Sequence, residues 1–347
     1  MRALTFEGPG RVAWRDQPDP TLPPAGALVR PLAVARCDLD AAMALHGLFP
    51  GPYCVGHECV AEVIEVADGV ASLAPGQRVV VPFQVSCGDC IQCRAGRFAA
   101  CVIYRAPAGA AFGFGPAGGG HGGALADVLA VPNAEHLLLA APERLSDTAL
   151  CLLSDNVSDG YRTVAEHLFR EPGADVLVVG GYAASIGLYA VACAVALGAG
   201  RVRYLDTDPA RVAVAGNLGA EAVVHTGDWP RRFDRARITV DNTGTPRGLA
   251  TVLRSTDDYG YCTSVAIHFE PVTEVPLLEM YTRGVTFHVS RTDSRRLLPQ
   301  VLDLVVERRL DPLAVPVTSV DWADAERAWL APATKLVARR EPEAAPV

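Results

Sequence analysis

Four cysteines in one short stretch have the spacing of a metal-binding loop. Cys87, Cys90, Cys93 and Cys101 form the pattern C-x2-C-x2-C-x7-C. Tetrahedral zinc takes four thiolates at about 2.3 Å, and two-residue gaps let successive sulfurs turn toward one ion. Four protein ligands leave no coordination position for a substrate, so the pattern predicts a structural zinc site. An iron–sulfur cluster and four unconnected thiols are the alternatives.

The composition favours metal binding over disulfide formation. The first residues, MRALTFEGPGRVAW, lack the charged-then-apolar pattern of a signal peptide, and the longest apolar stretch (188–198) is too short to span a bilayer. We therefore expect a cytoplasmic protein whose thiols stay reduced. The net charge is −8 and the chain has no basic run, so we expect neither nucleic acid nor membrane as a partner.

A second set of possible zinc ligands is scattered along the chain. Cys37 lies in ARCDLD, His57 and Glu58 lie in VGHECV, and Asp155 lies in LLSDNVSDGY. These residue types bind zinc in catalytic sites, where three protein ligands leave one position open. A lone histidine is more often structural, so these residues taken singly do not establish a site.

Two different patterns of elements must position these residues. Residues 1 to about 150 contain short apolar alternations separated by Gly and Pro, which predict a β-rich region. From about Asp155, short apolar strands such as DVLVVGG alternate with helical segments such as SIGLYAVACAVALGA. This alternation predicts βαβ units and a parallel sheet. The length of 347 residues is that of about two domains.

A glycine-containing turn follows the first of these strands. In VLVVGGYAASIG, Gly180 and Gly181 precede a helix that contains Gly187. Such a turn directs backbone N–H groups and the positive helix end toward a pyrophosphate. Ala184 stands where G-x-G-x-x-G has its middle glycine, and the loop is one residue longer. A turn that only packs a strand against a helix is the alternative.

The next strand, RVRYLDTD, ends in an acid. Asp206 lies 19 residues beyond Gly187, where a carboxylate binds the ribose hydroxyls of NAD and repels the 2′-phosphate of NADP. We therefore expect NAD(H) as the cofactor. Capping of the following helix is the alternative role for Asp206.

The order of these motifs resembles the zinc-dependent alcohol dehydrogenases of the medium-chain dehydrogenase/reductase superfamily. The resemblance runs from Cys37 through Gly56-His57-Glu58 and the cysteine loop to VDNTGTPRG. It implies an α/β protein with a GroES-like β-rich catalytic domain at residues 1–152, completed by 291–347. A Rossmann domain with a doubly wound parallel sheet would occupy 153–290, and the active site would lie in the cleft between the domains. It also implies a homodimer or homotetramer.

The resemblance assigns roles to individual residues. Cys37 and His57 match the first two ligands of a catalytic zinc, and Asp155 matches the third, with Cys151 as a weaker candidate. Glu58 matches a glutamate that can approach the metal, and Asp40 an acid that orients the zinc-bound imidazole. The residues that match the cofactor-binding region are Gly180, Gly181, Ala184, Ser185, Ile186, Gly187, Asp206, Arg211, Asn242 and Thr243. Loop aromatic and histidine side chains are candidates for the substrate pocket: Phe83, Tyr104, Phe112, Phe114 and His121.

The sequence departs from the family in its proton-transfer residues. Leu39 replaces the usual Ser or Thr that receives the substrate proton, and Ala42 replaces a later His of the relay. Asp159 replaces a Thr near the nicotinamide and could act as an acid or base, bind a cationic or polyhydroxy substrate, or cap a helix that begins at Gly160. His46 is another candidate proton carrier.

These observations predict an enzyme with two zinc ions per chain, one catalytic and one structural. The expected reaction is hydride transfer between NAD(H) and a small-molecule alcohol or carbonyl compound: a secondary alcohol, sugar, cyclitol or aldehyde derivative. One alternative is a reductase of C=N or activated C=C bonds in which zinc does not polarise a carbonyl. A non-catalytic zinc- and nucleotide-binding protein is the other. The sequence leaves the substrate and the preferred direction open.

Overall fold

The computed structural model describes residues 1–340, which divide into two compact units. Unit 1 contains Met1–Ser158, Asp293–Val306 and the described chain from Pro316 onward. Unit 2 contains Asp159–Thr292 and Glu307–Val315. Among residues 1–340, no helix has the length and apolar character needed to cross a lipid bilayer.

The first part of the chain consists mainly of short strands, as its sequence predicts. Its strands are β1 (Arg2–Gly8), β2 (Arg11–Asp16), β3 (Ala27–Arg36), β4 (Tyr53–Cys54), β5 (Glu58–Val66), β6 (Arg78–Val81), β7 (Leu129–Val131) and β8 (Leu139–Ala140). Its helices are α1 (Asp38–His46), α2 (Ile91–Arg94), α3 (Ala134–Leu137) and α4 (Asp147–Cys151).

The middle of the chain alternates between helices and strands. In chain order these are α5 (Asn156–Arg170), β9 (Val176–Val179), α6 (Ala184–Ala196), β10 (Val202–Asp206), α7 (Pro209–Asn217), β11 (Glu221–Val224), β12 (Ala236–Asp241), α8 (Pro246–Arg254), β13 (Thr256–Ser264), α9 (Leu277–Arg283) and β14 (Thr286–Val289). The chain then continues through α10 (Ser294–Val306), β15 (Thr318–Asp321), α11 (Ala325–Ala328) and β16 (Leu336–Arg339).

Unit 1 is built on two sheets with a common apolar core. One sheet has the order β2-β1-β4, and the other has the order β15-β16-β3-β5-β6-β8, with β7 also paired to β3. Strand β3 runs antiparallel to both β5 and β16, so it lies at the centre of the larger sheet. His57 and Glu58 lie at the start of β5, and Lys335 lies just before β16, so all three residues belong to the two strands that flank β3.

Unit 2 contains a six-stranded parallel sheet in the order β11-β10-β9-β12-β13-β14. Numbered within the unit, this is the order 3-2-1-4-5-6 of a doubly wound dinucleotide-binding sheet. All four residues of the central strand β9 are buried, which explains its uninterrupted VLVV sequence. The predicted α/β fold class is therefore confirmed.

Helix caps fix the loops at the carboxyl edge of this sheet. The Asp208 carboxylate accepts a hydrogen bond from Ala210 N at the start of α7, and Thr245 caps α8 through Gly248 N. Asp208, and not Asp206, therefore caps α7. Asp206 and Asp241 are the last residues of β10 and β12, so their carboxylates lie at the edge where such sheets bind ligands.

One connection is shorter than the alternation of strands and helices predicts. Residues 225–235 join β11 to β12 without a helix. The rings of His225 and Trp229 stack there at 5.2 Å, and Phe233 packs against the core of the unit. Aromatic side chains therefore cover this part of the sheet in place of a crossover helix.

Candidate metal centres and cofactor turn

The four cysteines of the first motif converge in unit 1. Their Sγ atoms all lie within 4.8 Å of one another. The Sγ atoms of Cys87 and Cys93 are 3.9 Å apart, as are those of Cys90 and Cys101. Tetrahedral zinc with bonds of about 2.3 Å requires sulfur–sulfur separations of about 3.8 Å, so the four positions fit a zinc ion. No disulfide joins these four cysteines in the structure.

Local backbone structure and two contacts hold this loop. Gly88 and Gly96 have positive φ angles of 78° and 69°, and Cys90 N donates to Cys87 Sγ at 3.3 Å. Ser86 Oγ lies 2.8 Å from His136 Nε2. Ala99 N donates to the Asp293 carboxylate at 3.1 Å. The loop is therefore fixed to α3 and to the residue before α10.

The second group of possible ligands also converges. One ligand atom from each of Cys37, His57, Glu58 and Asp155 lies within 4.8 Å of the others, and all four residues are buried. Cys37 immediately precedes α1, His57 precedes β5, and Asp155 precedes α5. The Nε2 atom of His57 is 3.3 Å from Asp155 Oδ2.

Asp40 links two members of this group. Its Oδ1 atom is 3.3 Å from His57 Nδ1, and its Oδ2 atom accepts a hydrogen bond from Cys37 N at 3.0 Å. Asp40 can therefore fix the imidazole orientation so that Nε2 faces the shared centre.

The electrostatics of this group fit a cation. Burial, followed by the charge of Asp40, raises the pKa of Cys37 to about 12. Burial alone would lower the pKa of His57, but Asp40 and Cys37 raise it well above its ordinary value. A divalent ion among these atoms would stabilise the thiolate and the neutral imidazole as ligands. The donor set of sulfur, nitrogen and carboxylate oxygen is one that zinc accepts.

Lys335 is a further member of this site that no sequence motif identifies. Its Nζ donates to Glu58 Oε1, and to Asn156 Oδ1 at 2.9 Å. Lys335 and Glu58 are both fully buried. The chain has no other lysine, and this single occurrence is the sequence signal that could have identified Lys335 as a site residue. The contact holds one oxygen of Glu58 beside the proposed metal ligands.

The other sequence-predicted residues of the catalytic region lie in different surroundings. Cys151 is buried and its thiol faces Thr148 O at 3.3 Å. His46 is the exposed last residue of α1. Asp159 forms an ion pair with Arg162 in the first turn of α5. Because α5 begins at Asn156, the suggestion that Asp159 caps a helix starting at Gly160 is wrong.

The predicted pocket residues lie in three places within unit 1. Phe83 and Phe114 pack on His57. Tyr104 and His121 pack on each other, with ring centroids 5.5 Å apart, and Tyr104 accepts a hydrogen bond from Asn133. Phe112 lies in the main core of the unit. Of these five residues, Phe83 and Phe114 are therefore the two whose rings contact a candidate ligand within the described chain.

The glycine turn of unit 2 is shaped by close approaches to three neighbours. A Cβ at Gly180 would lie 2.2 Å from Asp206 Oδ2, and one at Gly181 would lie 2.7 Å from Thr243 Cα. A Cβ at Gly187 would lie 3.1 Å from Asn242 Cγ. The turn continues into α6, whose first residues are Ala184, Ser185, Ile186 and Gly187. The candidate cofactor residues therefore meet at the switch point of the sheet, between β9 and β12.

Asp206 is buried and fully hydrogen-bonded. Its Oδ2 atom accepts from Tyr204 OH at 2.6 Å and from Arg211 Nε at 2.7 Å. Its Oδ1 atom accepts from Arg211 Nη2 at 2.7 Å and from Asp208 N at 3.0 Å. Burial raises the pKa of this carboxyl, but the hydrogen bonds of Arg211 and Tyr204 outweigh burial and lower it. Four donors occupy the about four acceptor positions of a carboxylate.

Comparison with known proteins agrees with both units. Residues 23–143 match the family model described as "Alcohol dehydrogenase GroES-like domain", and residues 185–307 match "Zinc-binding dehydrogenase". A Mycobacterium tuberculosis protein described as a probable zinc-binding alcohol dehydrogenase is 29% identical over 339 residues, which cover 95% of this chain and 84% of the relative.

Two further relatives extend this comparison. A medium chain reductase/dehydrogenase from Acremonium sp. is 32% identical over 63% of this chain and 74% of its own length. The solved structure of alcohol dehydrogenase TADH from Thermus sp. ATN1 superposes with a TM-score of 0.86 and 28% identity, covering 98% of this chain and 99% of the other. This chain is an oxidoreductase that belongs to the zinc-dependent alcohol dehydrogenases of the medium-chain dehydrogenase/reductase superfamily.

Proposed function

We propose that this protein catalyses the reversible oxidation of an alcohol to a carbonyl compound with NAD(H), using a catalytic zinc bound by Cys37, His57 and Asp155. The convergence of these three side chains in a buried group is the observation that carries the proposal. In the oxidative direction a hydride passes from the carbinol carbon to NAD⁺, and the hydroxyl proton leaves to solvent. Candidate substrates are secondary alcohols, sugars, cyclitols and aldehyde derivatives.

The residues of the metal site have distinct proposed roles. Cys37 and Asp155 supply two negative charges, and Asp40 fixes the orientation of His57. Lys335 holds Glu58 next to the ligand group. A zinc ion held there supplies Lewis acidity toward the substrate oxygen. The four cysteines Cys87, Cys90, Cys93 and Cys101 would bind the second, structural zinc.

The proton requires a path that differs from a hydroxyl relay. Leu39 is the second residue of α1, and its side chain can neither donate nor accept a hydrogen bond. We propose His46, exposed at the far end of the same helix, as the carrier that exchanges protons with solvent. Asp159 remains a second candidate, but its carboxylate is already paired with Arg162.

We propose NAD(H) as the cofactor, held by the glycine turn and Asp206. Asp206 is the last residue of β10 and lies against Gly180 of that turn, which is the position of the ribose-binding acid in such sheets. Ribose binding requires Arg211 to release at least one acceptor position on Asp206. Asn242 and Thr243 would line the cofactor beside Gly181 and Gly187.

We also propose that residues 1–152, completed by 291–347, form the catalytic domain and that 153–290 form the cofactor domain. The compact units differ from these bounds at Glu307–Val315, which belong to unit 2, and residues 341–347 lie outside the described part of the chain. For the assembly we propose a homodimer or homotetramer. Strand β14 is an edge of the six-stranded sheet, and Val289 on it is 62% exposed. Light scattering on the eluted protein would measure the number of subunits.

Metal analysis combined with cofactor titration tests the proposal. We expect two zinc ions per chain, quenching or enhancement of NADH fluorescence at lower concentration than for NADPH, and turnover of members of an alcohol and carbonyl panel. One zinc per chain together with no turnover of any alcohol or carbonyl compound would refute it.

Leu39 and Ala42 favour a second candidate, a reductase of C=N or activated C=C bonds that does not need the zinc for chemistry. A Cys37→Ser variant separates the two candidates. Loss of nearly all turnover supports the alcohol–carbonyl reaction, whereas full turnover by a variant shown to lack this zinc supports the second candidate.

A further inference from the structure

Two phenylalanines adjoin His57 within the described part of unit 1. The ring centroids of Phe83 and Phe114 lie 5.3 Å and 5.1 Å from that of His57. Phe114 is edge-on to the imidazole, with an interplanar angle of 76°. Neither ring can hydrogen-bond to a polar group placed beside the candidate metal ligands.

These two rings belong to a larger apolar cluster, which we call the phenylalanine wall. The wall contains buried members and partly buried members packed against them: Met43, Phe83, Ala111 and Phe114, with Leu39, Phe49 and Ala108. Phe114 lies 5.8 Å from Phe49 and 6.2 Å from Phe83. Because Leu39, Phe49 and Ala108 remain partly exposed, the wall runs from His57 toward the surface of unit 1.

The side chains of the wall contain no hydroxyl, amide or charged group. Leu39 belongs to the wall and also lies two residues after Cys37. Leu39, in place of the Ser or Thr that is usual in the family, therefore removes a hydroxyl and also adds apolar surface close to a candidate ligand. A substrate hydroxyl placed against this surface would lose its hydrogen bonds to water without replacement.

We infer that the substrate carries a bulky apolar group, an aromatic ring or a long or branched alkyl chain, next to the reacting carbon. Within the range of substrates given above, this selects hydrophobic alcohols and their carbonyl partners over sugars and cyclitols. The inference rests on the proposed function, because it assumes that His57 is a ligand of the catalytic metal.

The apolar character of the wall determines how strongly kcat/KM should differ between apolar and hydroxyl-rich substrates. Each methylene group transferred from water onto apolar surface is expected to raise kcat/KM about fourfold until the site is filled. Each additional substrate hydroxyl left without a partner is expected to lower it by about tenfold or more. Phenyl-substituted carbinols should therefore exceed polyols of the same carbon number by at least about 100-fold.

A matched substrate series tests this inference on the zinc-loaded enzyme. The series contains 2-alkanols from propanol to octanol and 1-phenylethanol, compared with polyols and a cyclitol of equal carbon number, and the corresponding carbonyl compounds for reduction. Rising kcat/KM along the alkanols supports the inference. If polyols or the cyclitol are the best substrates, the inference is wrong while the proposed function stands.

A binding measurement decides the inference if no compound is turned over, which would count against the proposed function itself. Isothermal titration calorimetry of the NADH-loaded protein with 1-phenylethanol and with inositol gives the relative affinity without turnover. Tighter binding of 1-phenylethanol, with a negative heat-capacity change, supports an apolar site. Equal or tighter binding of inositol overturns it.

Substituting single residues of the wall tests whether they cause the preference for apolar substrates. Phe114→Ser is expected to reduce the kcat/KM ratio of 2-octanol to 2-propanol at least tenfold, whereas Phe169→Ser, at a ring that is 65% exposed in unit 2, should leave the ratio unchanged. If Phe114→Ser does not fold, Phe49→Ser replaces it, because Phe49 is only partly buried. An unchanged ratio in the folded wall variant contradicts the assignment.

Discussion

Replacement of Lys335 by methionine should destabilise unit 1 strongly, because it leaves a carboxylate without its cation in the interior. Lys335 and Glu58 are both 0% exposed, and the ammonium also donates to Asn156. Methionine has a similar length, so most of the packing is retained. Removal of one partner of a buried ion pair costs about 3–5 kcal/mol. At about 2–4 °C per kcal/mol for a unit of this size, the expected fall in melting temperature is about 6–20 °C.

Differential scanning calorimetry of zinc-loaded protein measures this effect. Arg327→Met is the matched control, since Arg327 forms an ion pair with Asp324 at 3.0 Å but is 82% exposed, and such a pair contributes about 0–1 kcal/mol. The double variant Lys335→Met with Glu58→Gln should recover more than half of the loss, because no unpaired charge stays buried.

Two results would refute this reasoning. A Lys335→Met variant that melts within about 2 °C of the wild type would show that the pair is hydrated or does not form. A double variant as unstable as Lys335→Met alone would show that packing, and not the unpaired carboxylate, causes the loss.

Three further predictions concern the cofactor turn, the metal site and the cysteine loop. Arg211→Met should raise the ratio of NADPH to NADH dissociation constants at least tenfold in a fluorescence titration, because it leaves the negative charge of Asp206 without its cation and frees two acceptor positions. An unchanged ratio would show that Arg211 does not shield the acid. Asp40→Asn should weaken zinc binding at the Cys37 site about 10- to 100-fold in a chelator competition without releasing the zinc of the cysteine loop, and equal loss of both ions would contradict the role of Asp40. Burial, and then the charge of Arg295, lower the pKa of His136 to about 4. The unfolded state therefore binds more protons than the folded state between about pH 6.5 and pH 4, and the protein loses stability on acidification. This loss should be smaller in His136→Gln when melting temperatures are compared across that pH range.

The features that the sequence predicts are those set by short-range spacing. The cysteine loop is a local motif of 15 residues between Cys87 and Cys101, and its sulfurs converge in the structure. The uninterrupted apolar run of β9 and the alternation that follows it identify the parallel sheet. The resemblance to a family then supplies the long-range grouping of Cys37, His57 and Asp155, which spacing alone leaves open.

The features that sequence reasoning misses depend on contacts between distant residues. Lys335 lies 277 positions after Glu58, and no local pattern connects them. The phenylalanine wall combines residues from α1 and from separate loops, so its apolar character appears only when these segments pack together. The four hydrogen bonds to Asp206 likewise become visible only in the folded structure. The spacing that identifies a ribose-binding acid does not show that Arg211 is its partner.

The central claim is that Cys37, His57 and Asp155 share one zinc ion while the cysteine loop holds another. Anomalous diffraction from crystals of the zinc-loaded protein, recorded on both sides of the zinc absorption edge, tests it most directly. We predict two peaks per chain, one within bonding distance of Cys37 Sγ, His57 Nε2 and an Asp155 oxygen, and one among the four clustered sulfurs. A single peak at the cysteine loop, with the three other side chains too far apart to contact a common atom, would contradict the account.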